Sequence, residues 1–175
     1  MRTKEKKCKQ CGNKFSPRNS FQKTCSVECA IEDGKKESKK VWNKEKKVRL
    51  EALMTASEWR NVLQKVFNTY IRERDKGLPC ISCDRPVVNG HASHFWSVGS
   101  YPNLRFDEFN THLGCSYCNT HLHGNLVEYA LRLPKRIGQE EFDKLNERRN
   151  GKLKLTIPEI KELIEVYKQK TKELK

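Results

Sequence analysis

Four cysteines and five histidines carry the chemistry of this chain. Cys80 and Cys83 are followed, after thirty-one residues, by Cys115 and Cys118. Inside that interval lie His91, His94, Asn110 and His112. Asn119 comes directly after the last cysteine, and His121 and His123 follow it. All five histidines of the protein therefore fall between residues 91 and 123. Two Cys-x-x-Cys pairs, each from a tight turn, aim four thiolates at one point, which is the ligand set of a closed tetrahedral zinc site. Such a site has no open position, so its zinc is structural and clamps the turn at 80–83 against the turn at 115–118. Structural zinc contributes roughly 10–16 kcal/mol in small peptides, enough to fix an arrangement with little core of its own. A rubredoxin-like iron site, a pair of disulfides or a redox motif are the other chemistries open to the same sulfurs.

A second quartet sits near the amino terminus. Cys8 and Cys11 are followed by thirteen residues and then by Cys25 and Cys29, again a four-thiolate zinc spacing. Phe15, Pro17 and Phe21 supply the few side chains such a finger can bury. Eight Lys and Arg stand against Glu5 and Glu28 within residues 1–30, so this finger binds either DNA backbone or a protein partner.

The clamp brings the loop Ala92-Ser93-His94-Phe95-Trp96 toward Asn119, and His94 and Asn119 are expected to face each other across a small cleft. A neutral imidazole there can take a proton from water, while a Mg²⁺ or Mn²⁺ ion stabilises charge on phosphoryl and leaving oxygens. His94 is the candidate general base. Asn119 is either a ligand of that ion or a helix cap, a role Asn fills well. Asn110 joins the catalytic group as an amide that braces the loop. His112 is a neighbour of the zinc site or a phosphate donor.

These residues resemble a known pattern. Two Cys-x-x-Cys knuckles, a central His, an Asn a few residues before the second knuckle and an Asn directly after it are similar to the His-Asn-His, or ββα-metal, nucleases. The zinc-stapled form resembles Holliday-junction resolvases of the phage endonuclease VII type. A closer resemblance, over nearly the whole chain, is to the phage lambda NinG (Rap) recombination protein family. It rests on the stretch Phe67 to Asp75, Leu78 to Cys83, Leu104 to Phe106, Asn110-x-His112-x-x-Cys115, Cys118-Asn119-x-His121 and Gly124 to Val127. The resemblance implies an endonuclease acting on branched recombination intermediates such as Holliday junctions and D-loops, with 5′-phosphate products. Two departures stand out. Ser93 occupies the place before the histidine where many ββα-metal nucleases carry a metal ligand, so His91, His121 or His123 must replace it beside Asn119. Trp96 stands where a basic residue is expected. The rival reading is a zinc-dependent DNA-binding or adaptor protein whose nuclease core has decayed.

Composition agrees with a polyanionic partner. Thirty-six Lys and Arg against 22 Asp and Glu give +14 over 175 residues, a field that favours nucleic acid. Apolar residues are only 35%, so the core is small and metal staples suit it. No apolar run approaches a membrane span and the start lacks an apolar leader, so a cytoplasmic protein is expected (host cytoplasm if phage-encoded), and in reducing surroundings eight cysteines read as metal ligands.

The elements that must position the site follow. The expected architecture is α+β: an amino-terminal four-cysteine zinc finger (1–32), a basic helical linker (33–56), a zinc-stapled ββα-metal core with a leading helix (57–133) and a carboxy-terminal helical brace (134–175). The linker is a solvated helix, a disordered run or a basic arm lying on phosphates. Thr55 to Glu58 offer a capping box, and Trp59, Val62, Leu63, Val66, Tyr70 and Ile71 recur at helical steps. Arg72, Arg74 and Lys76 end this helix and, with Arg105 and His112, are the candidate DNA contacts. Strands are expected near 85–90, from His94 and at Leu104 to Phe106. A helix is expected to open at Asn119, and Pro134 to end the one from Leu126. Thr156 to Glu159 cap the last helix. Resolving a junction takes two nicks, so a homodimer is expected, through Trp42 or the carboxy-terminal helices, with a recombination protein as a further partner.

Overall fold

The computed structural model describes residues 4–175, so the first three residues of the expected finger lie outside the described residues. The chain divides into two compact units, Met1–Met54 and Thr55–Lys175.

In the first unit, β1 (Lys6–Lys7) pairs antiparallel with β2 (Lys14–Phe15). The turn between them closes through the Gly12 amide, which donates to the Cys8 carbonyl at 2.9 Å. Gly12 stands at φ +77°, a left-handed conformation that costs glycine nothing. Helix α1 (Val27–Leu53) begins at Ser26, whose hydroxyl accepts from the Cys29 amide at 3.2 Å. The helix passes residue 32 without a break, so the last finger ligand and the basic linker form one element. The reason is local: the run lacks proline and carries Glu32–Lys35, Glu37–Lys40 and Lys47–Glu51 pairs at helical spacing. Lys9 anchors the finger to it by reaching Asp33 at 3.1 Å and Glu37 at 3.0 Å. No residue of α1 is buried; Val41, Trp42 and Val48 all face out.

The second unit is built on α2 (Ala56–Arg74) and α5 (Ile157–Glu173). Each starts with a reciprocal capping box, Thr55 with Glu58 and Thr156 with Glu159. Trp59, Leu63, Phe67, Tyr70 and Ile71 form the buried face of α2, and Ile160, Ile164 and Tyr167 that of α5. Phe67 sits edge-on to Tyr167 at 5.0 Å and to Phe106 at 5.8 Å, pairs each worth about 0.5–1.5 kcal/mol beyond burial. Against these helices lies a two-stranded hairpin, β3 (His91–His94) and β4 (Thr111–Gly114), with His91 opposite Gly114 and His94 opposite Thr111. A π-helical turn (Tyr117–His121) leads into α3 (Leu126–Ile137) and α4 (Gln139–Glu147). Ile81, Phe95, Leu104, Tyr129, Leu133 and Leu145 close a second core beneath them.

The architecture is α+β, as expected, but several local assignments change. Residues 85–90 form no strand. Leu104 belongs to a 3-10 turn (Pro102–Leu104), because the buried Asn110 side chain takes the Leu104 and Trp96 carbonyls at 3.0 Å each and bends the loop around itself. No α-helix opens at Asn119; His123, Gly124 and Asn125 all adopt positive φ and delay α3 to Leu126. Pro134 is absorbed within α3, which ends instead at Gly138 with φ +87°.

A buried bracket joins α2 to the hairpin. The Asp75 carboxylate, 3% exposed, accepts the Leu113 amide at 2.9 Å and both Nε and Nη2 of Arg74 at 2.7 and 3.0 Å. Arg74 also donates to the carbonyls of Glu108 and Thr111 at 2.9 and 2.8 Å. Asp75→Ala strands a guanidinium and an amide donor, and such a loss costs about 3–5 kcal/mol. Denaturant unfolding is expected to show that loss, and Asp75→Asn, which retains one acceptor oxygen, a smaller one. An unchanged midpoint for Asp75→Ala would mean that the bracket contributes nothing to stability.

Candidate functional site

Each cysteine quartet gathers its four sulfurs within 4.8 Å of one another. Cys11–Cys25 and Cys25–Cys29 stand 3.6 Å apart and Cys83–Cys115 3.8 Å. Zinc–sulfur bonds of about 2.3 Å in a tetrahedron place sulfurs about 3.8 Å apart, so both quartets could hold zinc. Backbone amides already point at the sulfurs: Cys115 donates to Cys80 at 3.2 Å and Cys25 to Cys8 at 3.4 Å. Burial raises the Cys80 thiol, but the amides of Cys115, Cys83 and Ser82 outweigh it and hold it at about 7. Burial and the neighbouring sulfurs push Cys118 up to about 12. Four sulfurs this close resist shared ionisation until a cation joins them.

The quartet at 80–118 sets the end of the hairpin. Gly114 is the partner of His91 and the residue before Cys115, so the clamp brings His91 to Asn119. Their side chains meet at 3.2 Å, between the carboxamide and Nδ1. His94 does not face Asn119. It lies three residues along β3, where side chains alternate in face, and its Nε2 meets the Arg105 carbonyl at 3.0 Å. That bond gives the proton to Nε2 and leaves Nδ1 as the basic atom. Burial holds the His94 imidazole below its ordinary value, so it is neutral at pH 7. Ser93 is 2% exposed and closed over by Gly114. Its carbonyl accepts from the Tyr129 hydroxyl at 3.1 Å.

The remaining expected residues sort by what they touch. Asn110 is fully buried and braces the loop; besides the two carbonyls it holds, its oxygen accepts the Trp96 amide at 2.7 Å. His112 is buried against the Tyr129 hydroxyl at 3.3 Å, and burial drives its imidazole down to about 3. It is a neutral core residue and no phosphate donor. Arg74 is engaged in the Asp75 bracket and is not free for DNA, whereas Arg105 donates to Gln64 at 2.7 Å through Nε. Arg72 and Lys76 are exposed and, together with His91, line one cleft of about 410 Å³. His121 and His123 are exposed, and His121 packs on Tyr117 at 5.6 Å. Trp96 donates to Asn146 at 3.1 Å, and the guanidinium of Arg149 lies 4.8 Å from its ring, so a cation from another element stands at that place. Asp75 and Tyr129, which hold the two strands, were missed by sequence reasoning. An Asp beside Arg at a helix end was the available signal for the first; Tyr129 had none.

Comparison with known proteins bears on this arrangement. The family model described as Bacteriophage Lambda NinG protein matches residues 1–175. The chain belongs to the NinG family. Protein ninG of Escherichia phage lambda is 37% identical over 191 residues, covering 97% of this chain and 93% of its own. Protein ninG of Escherichia phage 933W is 37% identical over 189 residues, with 97% and 94% covered. That of Salmonella phage P22 is 35% identical over 191 residues, with 97% and 94% covered. No solved structure matches. Among the described residues of this NinG chain, no helix is long and apolar enough to cross a membrane.

Elemental analysis of the NinG chain is expected to return two zinc equivalents. Cys115→Ser removes one and unfolds the second unit, because its sulfur also fixes the His91–Asn119 contact. Cys8→Ser removes the other and leaves the thermal transition of the second unit in place. One equivalent in the wild-type chain would discard one quartet as a zinc site.

Proposed function

We propose that this NinG-family chain is a metal-dependent endonuclease that cuts branched DNA, such as Holliday junctions and D-loops, during phage recombination. The observation that carries the reading is the His91–Asn119 contact beside the sulfur cluster. Turning the Asn119 carboxamide over replaces its Nδ2 with Oδ1, so an imidazole nitrogen and an amide oxygen then converge on one point. That is a partial ligand set for a divalent ion whose shell the substrate phosphate completes. A Mg²⁺ or Mn²⁺ ion bound there supplies charge stabilisation to the phosphoryl and leaving oxygens. His91 thus fills the ligand role that Ser93 cannot, and His121 and His123 are not needed for it. Arg72 and Lys76, lining the cleft of His91, hold the phosphate backbone by charge.

The order of knuckle 80–83, β3, β4, knuckle 115–118 and α3 resembles a ββα-metal core and supports the same reading. His94 is proposed as the general base through Nδ1, with the Arg105 carbonyl fixing the tautomer; its place on the face of β3 opposite His91 counts against that role, and the substitution below decides it. The net charge of +14 supports binding that is mostly electrostatic and falls steeply with salt. Dimerisation supplies the two nicks of a resolved junction, and the amino-terminal finger contacts DNA or a recombination partner. One observation favours the non-catalytic alternative: Ser93 is buried where relatives of the ββα-metal class hold a ligand.

The test is cleavage of a labelled four-way junction by the zinc-loaded chain with added Mg²⁺ or Mn²⁺. His91→Ala and Asn119→Ala are expected to raise the divalent ion requirement and abolish cutting while two zincs remain. His94→Ala is expected to lower the rate by roughly 100-fold or more at unchanged junction affinity. Because burial lowers the His94 pKa, the wild-type rate should be flat above about pH 6.5 and fall only as the imidazole protonates below it. A wild-type rate in His94→Ala removes that residue from the chemistry. No cleavage by the wild-type chain under any divalent ion leaves the adaptor reading.

A further inference from the structure

A second cleft, of about 920 Å³, is lined by His112 of β4 together with Phe109, Arg136 and Arg148. Its volume lies in the range of about 300–1,000 Å³ found for small-molecule sites.

Three features of its wall point to a ligand. Phe109 is 42% exposed on the rim, and the Arg148 guanidinium sits 5.9 Å from its ring. Such a ring, stiffened by a cation, offers a face for stacking. The carboxylates of the wall are already matched: Asp107 by Arg148 at 2.9 Å, and Glu108 by Lys170 at 2.5 Å and by the Tyr70 hydroxyl at 2.7 Å. They still present acceptor lone pairs, and their charge turns away a phosphate backbone from the floor of the cleft. Arg136 is the exception. Its Nη1 is buried and donates to nothing among the described residues, and a buried donor without an acceptor is rare enough to ask for one.

We infer that this cleft receives one unpaired nucleotide of a branched DNA, its base stacked on Phe109 and an oxygen acceptor of the base or sugar meeting Arg136. The inference rests on the nucleic-acid reading above and specifies how that reading distinguishes branched from continuous duplex. A base inside a duplex has both faces covered and cannot enter. A base at a flap, a displaced strand or an open crossover has already lost its stack, so entry costs little. The exocyclic amino groups of an entering base find acceptors in Asp107 and Glu108. Sequence preference is weak, since every base has a face to stack.

The experiment uses the full zinc-loaded chain without divalent ion. The probes are a duplex bearing a single-stranded arm, with 2-aminopurine at its first unpaired position, and the same duplex fully paired. Wild-type chain is expected to bind the armed probe more tightly and to change its 2-aminopurine fluorescence. Phe109→Ala should lose roughly 5- to 100-fold of that preference, the range for one lost base–aromatic stack, with duplex affinity kept. Phe109→Trp should retain it, and Arg136→Met should lower it; zinc content and circular dichroism check that each variant is folded. An arm preference and fluorescence change that survive intact in Phe109→Ala overturn the inference and leave the nuclease proposal standing. Failure of the wild-type chain to bind either probe overturns both.

Discussion

Four sulfurs converging on one point hold the hairpin in place. Strands of four residues, paired only with each other, are marginal on their own in water. The clamp at Cys80, Cys83, Cys115 and Cys118 fixes one end of β4, and the Asp75–Arg74 bracket fixes its middle to α2. Asn110 fixes the other end by folding the loop of residues 95–110 about a single buried carboxamide. Tyr129 reaches the β3 backbone from α3. Every one of these supports is a sulfur cluster or a polar contact. The apolar core lies to either side and cannot specify the register of so short a hairpin.

Much of this was legible in the sequence, for physical reasons that vary by element. Cysteine spacing fixes ligand geometry almost regardless of context, so both quartets were readable. The starts of α2 and α5 were readable because a capping box is a four-residue signal. Strand register was not. His91 and His94 lie in the same short segment, and the residue that meets Asn119 depends on which one stands opposite Gly114. That pairing is set by Leu113, Asp75 and the clamp together, three partners far apart in the chain. The loop at Leu104 likewise has the composition of a strand, and only the buried amide of Asn110 makes it a turn. Arg74 and His112 have the composition of a DNA contact and prove to be a half-buried and a buried support, since exposure cannot be read from residue type.

The two clefts of the second unit divide the charge unequally. The one at His91 is bordered by exposed Arg72 and by Lys76, which pairs with Glu73 at 3.8 Å; in the other, Asp107 is matched by Arg148 and Glu108 by Lys170. Exposed cations thus border the cleft of His91, and hydrogen-bonding groups with an aromatic rim border the other.

Cys29 lies in the first turn of α1, a helix of 27 residues that buries none of them. A helix without a core must meet its own initiation cost, a factor of about 10⁻³ for the first turn. A metal ion held through Cys29 would fix that first turn from outside, and the Ser26 cap and the Lys9 ion pairs extend the fixed segment. Propagation then carries a rod of about 40 Å at 1.5 Å per residue, studded with lysines. Stripping the ion would return the initiation cost to the peptide. The lysine array would shorten and lose its spacing, so the span over which the protein presents positive charge is set by the occupancy of a site at one end of it.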